Sequence, residues 1–217
     1  MGSNVQTKSA YDNSSGNPLT LVLTSALTSG NTLAVAVINA DTSVTISSIV
    51  CGSDTLNNLG TLSTGAGRIT LFEKRNCTGG SATITITLSA ASPRVNLIAH
   101  EISGVDSVRD SAMALDSGSG TDIDNVSING QSGDFVVAFV SDDNPNNNGG
   151  QYTAGTGAVQ REQNLASGFY CSEDYAAGGI SSATFSNSFS AVAYVGAISF
   201  YQSSGGPTFI LMGDGLT

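Results

Sequence analysis

Tryptophan is absent from this chain of 217 residues, histidine occurs once, and only 11% of the residues are charged. Seven cations, Lys8, Arg68, Lys74, Arg75, Arg94, Arg109 and Arg161, stand against 17 acids, for a net charge of −10. Only Lys74 and Arg75 are adjacent. Binding to phosphate backbones draws on clustered cations that release counterions, so nucleic acid is argued against as a partner. Attraction to anionic membranes is argued against on the same ground. No apolar run approaches the roughly 18 residues of a membrane-spanning helix. The opening MGSNVQTKSAYDNSSGNP has no charged segment leading into an apolar one, and so reads as no secretory signal. Gln6 stands where a myristoylation site requires Ser or Thr. Three cysteines, Cys51, Cys77 and Cys171, are widely spaced and form no CxxC. Three buried thiols are expected, with one disulfide and one free thiol as the alternative.

What is present is 40% apolar residues set among Ser, Thr, Asn and Gly. That mixture suits pleated strands joined by tight turns and does not suit a disordered chain. Strands are predicted over 19–24, 31–38, 43–50, 68–74, 82–88, 95–102, 112–115, 123–128, 135–140, 158–163, 168–175 and 191–201. Apolar residues alternate with Thr in ATITITL, as in a half-buried strand. NTLAVAVI is apolar on both faces, as in a strand enclosed by other layers. Helical periodicity is lacking, with at most one turn expected near 105–112. GNTLAVAV at 30–37 is echoed by GDFVVAFV at 133–140, and the Gly79-Gly80 turn by Gly178-Gly179. The pattern predicts an all-β fold, an antiparallel β-sandwich that is jelly-roll-like, with two similar halves forming one sandwich and an extended C-terminal tail. The expected organisation is a flexible arm over 1–16, the sandwich over 17–202, and a Gly-rich linker with an assembly strand over 203–217.

The residues that carry chemistry form no catalytic pattern. His100 shares a side with Val95 or Leu97 by parity, or sits at the strand end beside Glu101, and reads as structural. No GxSxG elbow accompanies it. Glu73, Glu101, Glu162 and Glu173 are the glutamates from which a glycosidase pair would come, but sugar subsites built on aromatic platforms lack their material here. Asp142, Asp143 and Asn144, or Asp122 and Asp124, are oxygen donors without the EF-hand spacing, and read as solvated turn residues. The glycines precede no helix and Lys, so no phosphate cradle is predicted. No enzyme, cofactor or metal is expected. Two segments remain as candidate sites. One is the loop carrying Asp142, Asp143, Asn144, Asn146 and Asn147, since long loops at the end of a sandwich carry recognition. The other is Thr208, Phe209, Ile210, Leu211 and Met212, an apolar strand beyond a Gly-Gly-Pro leash, suited to adding to the sheet edge of a neighbour.

GNTLAVAVI, GRITLFEKRNCTGGSATITITLS, LIAHEISGVDS, GDFVVAFVS and the closing AVAYVGAISFYQ together resemble the β-sandwich structural modules of tailed-bacteriophage virion proteins. Similar modules occur in bacterial secreted proteins of unassigned role. The resemblance covers roughly residues 17–202 and transfers no site residue. It implies a non-enzymatic virion structural protein, a capsid decoration or cement protein or head appendage. Such a protein is assembled in the host cytoplasm, is a homotrimer, and is partnered by the major capsid protein or another virion protein. A receptor- or carbohydrate-binding surface module, extracellular and with a glycan as partner, is the alternative.

Overall fold

The computed structural model describes residues 1–12, 14–64, 67–92, 94–116, 123–142, 152–164, 170–176, 179–187 and 192–202. Every helix or strand among them is a β-strand. The first half carries β1 (Ser3–Asp12), β2 (Leu19–Val22), β3 (Thr32–Asn39), β4 (Ile46–Cys51), β5 (Asp54–Thr55), β6 (Asn57–Ser63), β7 (Arg68–Lys74), β8 (Thr83–Leu88) and β9 (Val95–Ser103). The second half carries β10 (Val105–Asp116), β11 (Ile123–Ser127), β12 (Phe135–Asp142), β13 (Tyr152–Ala154), β14 (Val159–Asn164), β15 (Tyr170–Tyr175), β16 (Ser182–Asn187) and β17 (Ala193–Gln202).

The strands make four antiparallel sheets, ordered β1-β9-β3-β7-β6, β2-β8-β4-β5, β10-β17-β12-β15-β14 and β11-β16-β13. Apart from β5, which has no counterpart among the described residues of the second half, the connectivity is the same twice over. Each half is a jelly-roll sandwich, with its chain alternating between a five-stranded and a smaller sheet. Even the irregularities recur: β6 is bulged between Asn58 and Gly60, and β14 between Gln160 and Glu162. Gly30 and Gly133 lead into β3 and β12 with φ of 85° and 88°, a region open to glycine. The same turn closes before each strand, Asn31 N–H donating to Thr28 O (3.2 Å) and Asp134 N–H to Gln131 O (3.0 Å).

The two five-stranded sheets lie face to face, so four sheets enclose three apolar layers. Leu33, Val35, Val37, Ile84, Ile86 and Leu97 fill the first sandwich. Val136, Ala138, Val140, Phe185, Val195 and Ala197 fill the second. Between the halves, Ala34, Ala36, Ile69, Leu71, Ile98 and Ile102 meet Phe135, Phe139, Tyr194, Ile198 and Phe200. Strands β3, β9, β12 and β17 are thus covered on both faces, which is why β3, β12 and β17 are largely apolar without alternation, while β9 holds Asn96, His100 and Glu101 as buried polar residues. β1 packs beside β14 and β6 beside β10, so the halves are related by an approximate two-fold axis parallel to the strands.

Three expectations change. The two echoing halves are two sandwiches rather than the halves of one. Residues 3–12, read as part of a flexible arm, form β1 and pair along β9 from Ser103 to Val95. Val105–Asp116 is a strand and not a turn of helix. Its register shifts around Val108 break the period of two that would have revealed it. The extended C-terminal tail, 203–217, lies outside the described residues.

Candidate functional site

β12 and β17 run antiparallel, with Phe135 opposite Phe200 and Asp142 opposite Ala193. These two strands set where the candidate segments leave the body. From the end marked by Asp142 and Ala193 depart the β10–β11, β12–β13, β14–β15 and β16–β17 connections. Asp142 is the last residue of β12, while Asp143, Asn144, Asn146 and Asn147 lie outside the described residues, as do Thr208, Phe209, Ile210, Leu211 and Met212. The chain runs toward the second group from Gln202, at the opposite end of β17. The two departure points are separated by about 30 Å, nine strand steps of about 3.3 Å between Ala193 and Gln202. The candidate loop and the root of the tail are therefore not brought together.

The root is tightly fastened. Gln202 Nε2 donates to Asp134 O (3.1 Å) and Ala176 O (3.0 Å), and its Oε1 accepts from Gly2 N–H (2.8 Å). The Arg109 guanidinium donates through Nε and Nη2 to the Asp134 carboxylate and stacks over the Tyr201 ring at 3.7 Å. Asp134 also accepts from Gln131 N–H (2.8 Å) and Ser199 Oγ (3.2 Å). Burial works against its ionised form, but these donors, with Arg109 foremost, hold its carboxyl below the usual range. The first half solves the same problem differently. Glu101, on β9, accepts from Thr28 N–H (2.9 Å), Asn31 Nδ2 (2.6 Å) and Gln6 Nε2. Against burial, these donors lower its pKa as well.

The remaining ionisable groups in the interior are structurally placed. His100 is fully buried and faces the second half together with Ile98 and Ile102, the opposite side from Val95 and Leu97. Its ring meets Phe139 edge-on at 5.3 Å, and Nδ1 lies 3.1 Å from Asn4 Oδ1 and 3.2 Å from Thr7 Oγ1. Nε2 has no partner among the described residues. Burial, helped by the charge of Arg161, lowers its pKa to about 3, so it is neutral at ordinary pH. Glu173 sits inside the second sandwich, accepting from Tyr175 Oη and from Gly155 N–H (2.7 Å each). Burial raises its pKa to about 7. Asp174 pairs with Arg161, Glu162 with Ser9 Oγ (2.7 Å), and Glu73 with Asn57 Nδ2 (2.9 Å) and Arg75 (3.2 Å).

All three cysteines are buried free thiols, as expected, and burial pushes Cys77 and Cys171 up to about 12. Among the described residues no group of three His, Cys, Asp or Glu is placed to hold a metal ion. The knot of Arg109, Asp134 and Tyr201 escaped sequence reasoning. Its one signal was Asp134 itself, an acid directly before the apolar run 135–140, where an ionised carboxylate requires a partner.

Compared with protein-family models, characterised proteins and solved structures, the chain matches none.

Proposed function

We propose that this chain is a non-enzymatic structural protein of a tailed-phage virion, a capsid decoration protein that assembles as a homotrimer through its C-terminal segment. The observation that carries the reading is the fastening of the tail root. Gln202 is bonded to Gly2, Asp134 and Ala176, beside a bidentate Arg109–Asp134 pair, so the described body ends at a fixed point. An apolar pentapeptide on such an anchor gains affinity from multivalency once several copies engage together. The strand pattern shared with phage virion modules supports the setting. The burial of the ionisable groups described above supports a scaffold rather than a reactive surface.

Light scattering after size-exclusion chromatography, on the full chain and on a chain ending at Ser204, tests the assembly step. A trimer that becomes a folded monomer on truncation supports it, and identical species overturn it. Immunogold electron microscopy with antibodies to this protein tests the setting. Label over particle heads is expected, and heads free of label would remove the decoration reading.

A second reading, a glycan- or receptor-binding surface module, draws on one observation. The topology sends four connections of the second half out of the same end, the β12–β13 connection with its Asp/Asn/Gly-rich sequence among them.

A further inference from the structure

One opening of the first half lies where the register-matched side chains of the second half are larger. Between β4 and the β6–β7 edge of the first sandwich lies a cleft of about 300 Å³, lined by Thr45, Ile46, Asn58, Thr61, Arg68 and Thr70. That volume is about ten water molecules' share of liquid and sits at the small end of ligand sites. Register identifies the matching positions in the second half. Ile46 pairs with Leu88 as Tyr152 pairs with Asn187, and Thr61 pairs with Thr70 as Gln163 pairs with Cys171. There, Tyr152 is 1% exposed and Gln163 Nε2 donates to its carbonyl, so larger side chains occupy the space. The cleft follows from the small hydroxylated residues of the first half and not from the fold.

Its polar groups are fixed and incompletely used. Arg68 donates from Nε to Ser63 Oγ (2.9 Å), from Nη1 to Val44 O (2.8 Å) and from Nη2 to Thr42 O (2.6 Å). These bonds immobilise the guanidinium. With five N–H donors in all, one on each terminal nitrogen is left without a bond among the described residues. Asn58 accepts from Gly60 N–H through Oδ1 (2.8 Å), and its amide N–H groups have no partner among the described residues. The Thr61 and Thr70 hydroxyls bond each other at 3.1 Å and hold acceptor capacity in reserve.

We propose that this cleft binds a single carboxylated sugar unit of the uronic-acid type. The two open guanidinium N–H groups fit a carboxylate in the paired manner that distinguishes Arg. The Thr hydroxyls and the Asn58 amide suit ring hydroxyls, and the Ile46 side chain offers an apolar wall to the ring. The proposal uses no residue of the tail or of the β12–β13 connection, so it stands or falls independently of the assembly role.

The test is a titration of the isotope-labelled full chain with D-glucuronate and, in parallel, D-glucose, followed by amide chemical shifts. Glucuronate is expected to saturate with a Kd on the order of 1 mM, moving amides at Thr45, Asn58, Thr61 and Thr70, while glucose binds at least fivefold more weakly. Thr61→Gln, which copies the filled half, should weaken glucuronate binding at least tenfold. Asn58→Asp keeps the acceptor for Gly60 but sets a negative charge at the site, and should weaken glucuronate binding at least fivefold without affecting folding. Unchanged binding in Thr61→Gln, equal shifts with glucose, or no saturable shift would each overturn the proposal.

Discussion

The first and second halves share a topology down to the placement of a bulge, yet they meet the same mechanical needs with different residues. Where β3 and β9 place Ala36 opposite Ile98, β12 and β17 place Phe139 opposite Gly196. Large and small have exchanged strands, so the faces interlock across the pseudo-two-fold axis instead of repeating. A Cβ on Gly196 would stand 2.9 Å from Ile69 Cδ1 and 3.0 Å from Leu71 Cδ2, so glycine there is the socket for the first half's aliphatic side chains. Phe72, in the core of the first sandwich, is answered by the acid Glu173 in the second. The carboxylate that ties the entry to the central strand lies on β9 in one half and before β12 in the other. Duplicated topology has thus been specialised until the inner faces are complementary and no longer equivalent.

The largest expected effect falls on His100, whose counterpart by register is Ile198. A pKa lowered from 6.5 to about 3 means that the folded state resists protonation which the unfolded chain accepts. Stability from this group is complete above pH 6.5 and declines as pH falls toward 3, by about 5 kcal/mol at 1.36 kcal/mol per pH unit. His100→Gln should flatten that decline in urea melts at pH 7, 5 and 3.5, whereas a slope equal to wild type would place the acid sensitivity elsewhere.

Phe139→Ala should cost about 3–5 kcal/mol, as a cavity facing His100 and Gly196 opens between the halves. Ala36→Phe, the reciprocal change, would overpack the same layer by about 1–3 kcal/mol. Chemical denaturation of both variants checks whether large and small have truly exchanged places.

Glu173 moves in the opposite direction with pH. Its pKa is raised from 4.5 to about 7, so its burial is harmless below pH 4.5 and costs increasingly as pH rises to 7, reaching about 3 kcal/mol. Glu173→Gln should match wild type at pH 4 and exceed it at pH 8. A variant weaker than wild type at pH 8 would show that the ionised carboxylate is well served by Tyr175 and Gly155. The smallest effect is expected at the partly exposed link between β1 and β14. Ser9→Ala removes the hydroxyl bonded to Glu162 and should change stability by no more than about 1 kcal/mol.

Much of the fold was legible because the enclosed strands announce themselves. NTLAVAVI and FVVAFV are apolar without alternation, and both prove to be covered on two faces. ATITITL alternates because β8 has only one covered face. The echo between Gly30–Val37 and Gly133–Val140 marked the duplication, but nothing in it distinguished one sandwich in two halves from two sandwiches. That distinction lies in which residues of β3 and β12 meet, an arrangement of long-range packing. The unread strands are edges. β1 holds Lys8 and alternates poorly, β6 is rich in Asn and Gly, and β10 is broken by its bulges. His100 stands five residues from Val95 and three from Leu97, both odd, so the strand's period of two already puts it on the opposite face, and its assignment to their side was a misreading of parity. The Arg68 cleft left no local trace. Its lining comes from three separate strands and one loop, and it becomes visible only when the second half shows the same space filled.

The fastening of Gln202 also determines how the molecule would bear a load. A pull applied at Gln202 along β17 meets a strand hydrogen-bonded to β10 on one side and β12 on the other. Force in that direction loads both ladders in shear, so many bonds resist together, whereas a pull across the sheet would peel them open one at a time. Gln202 thus ends the strand along which the second half is best built to resist a lengthwise pull.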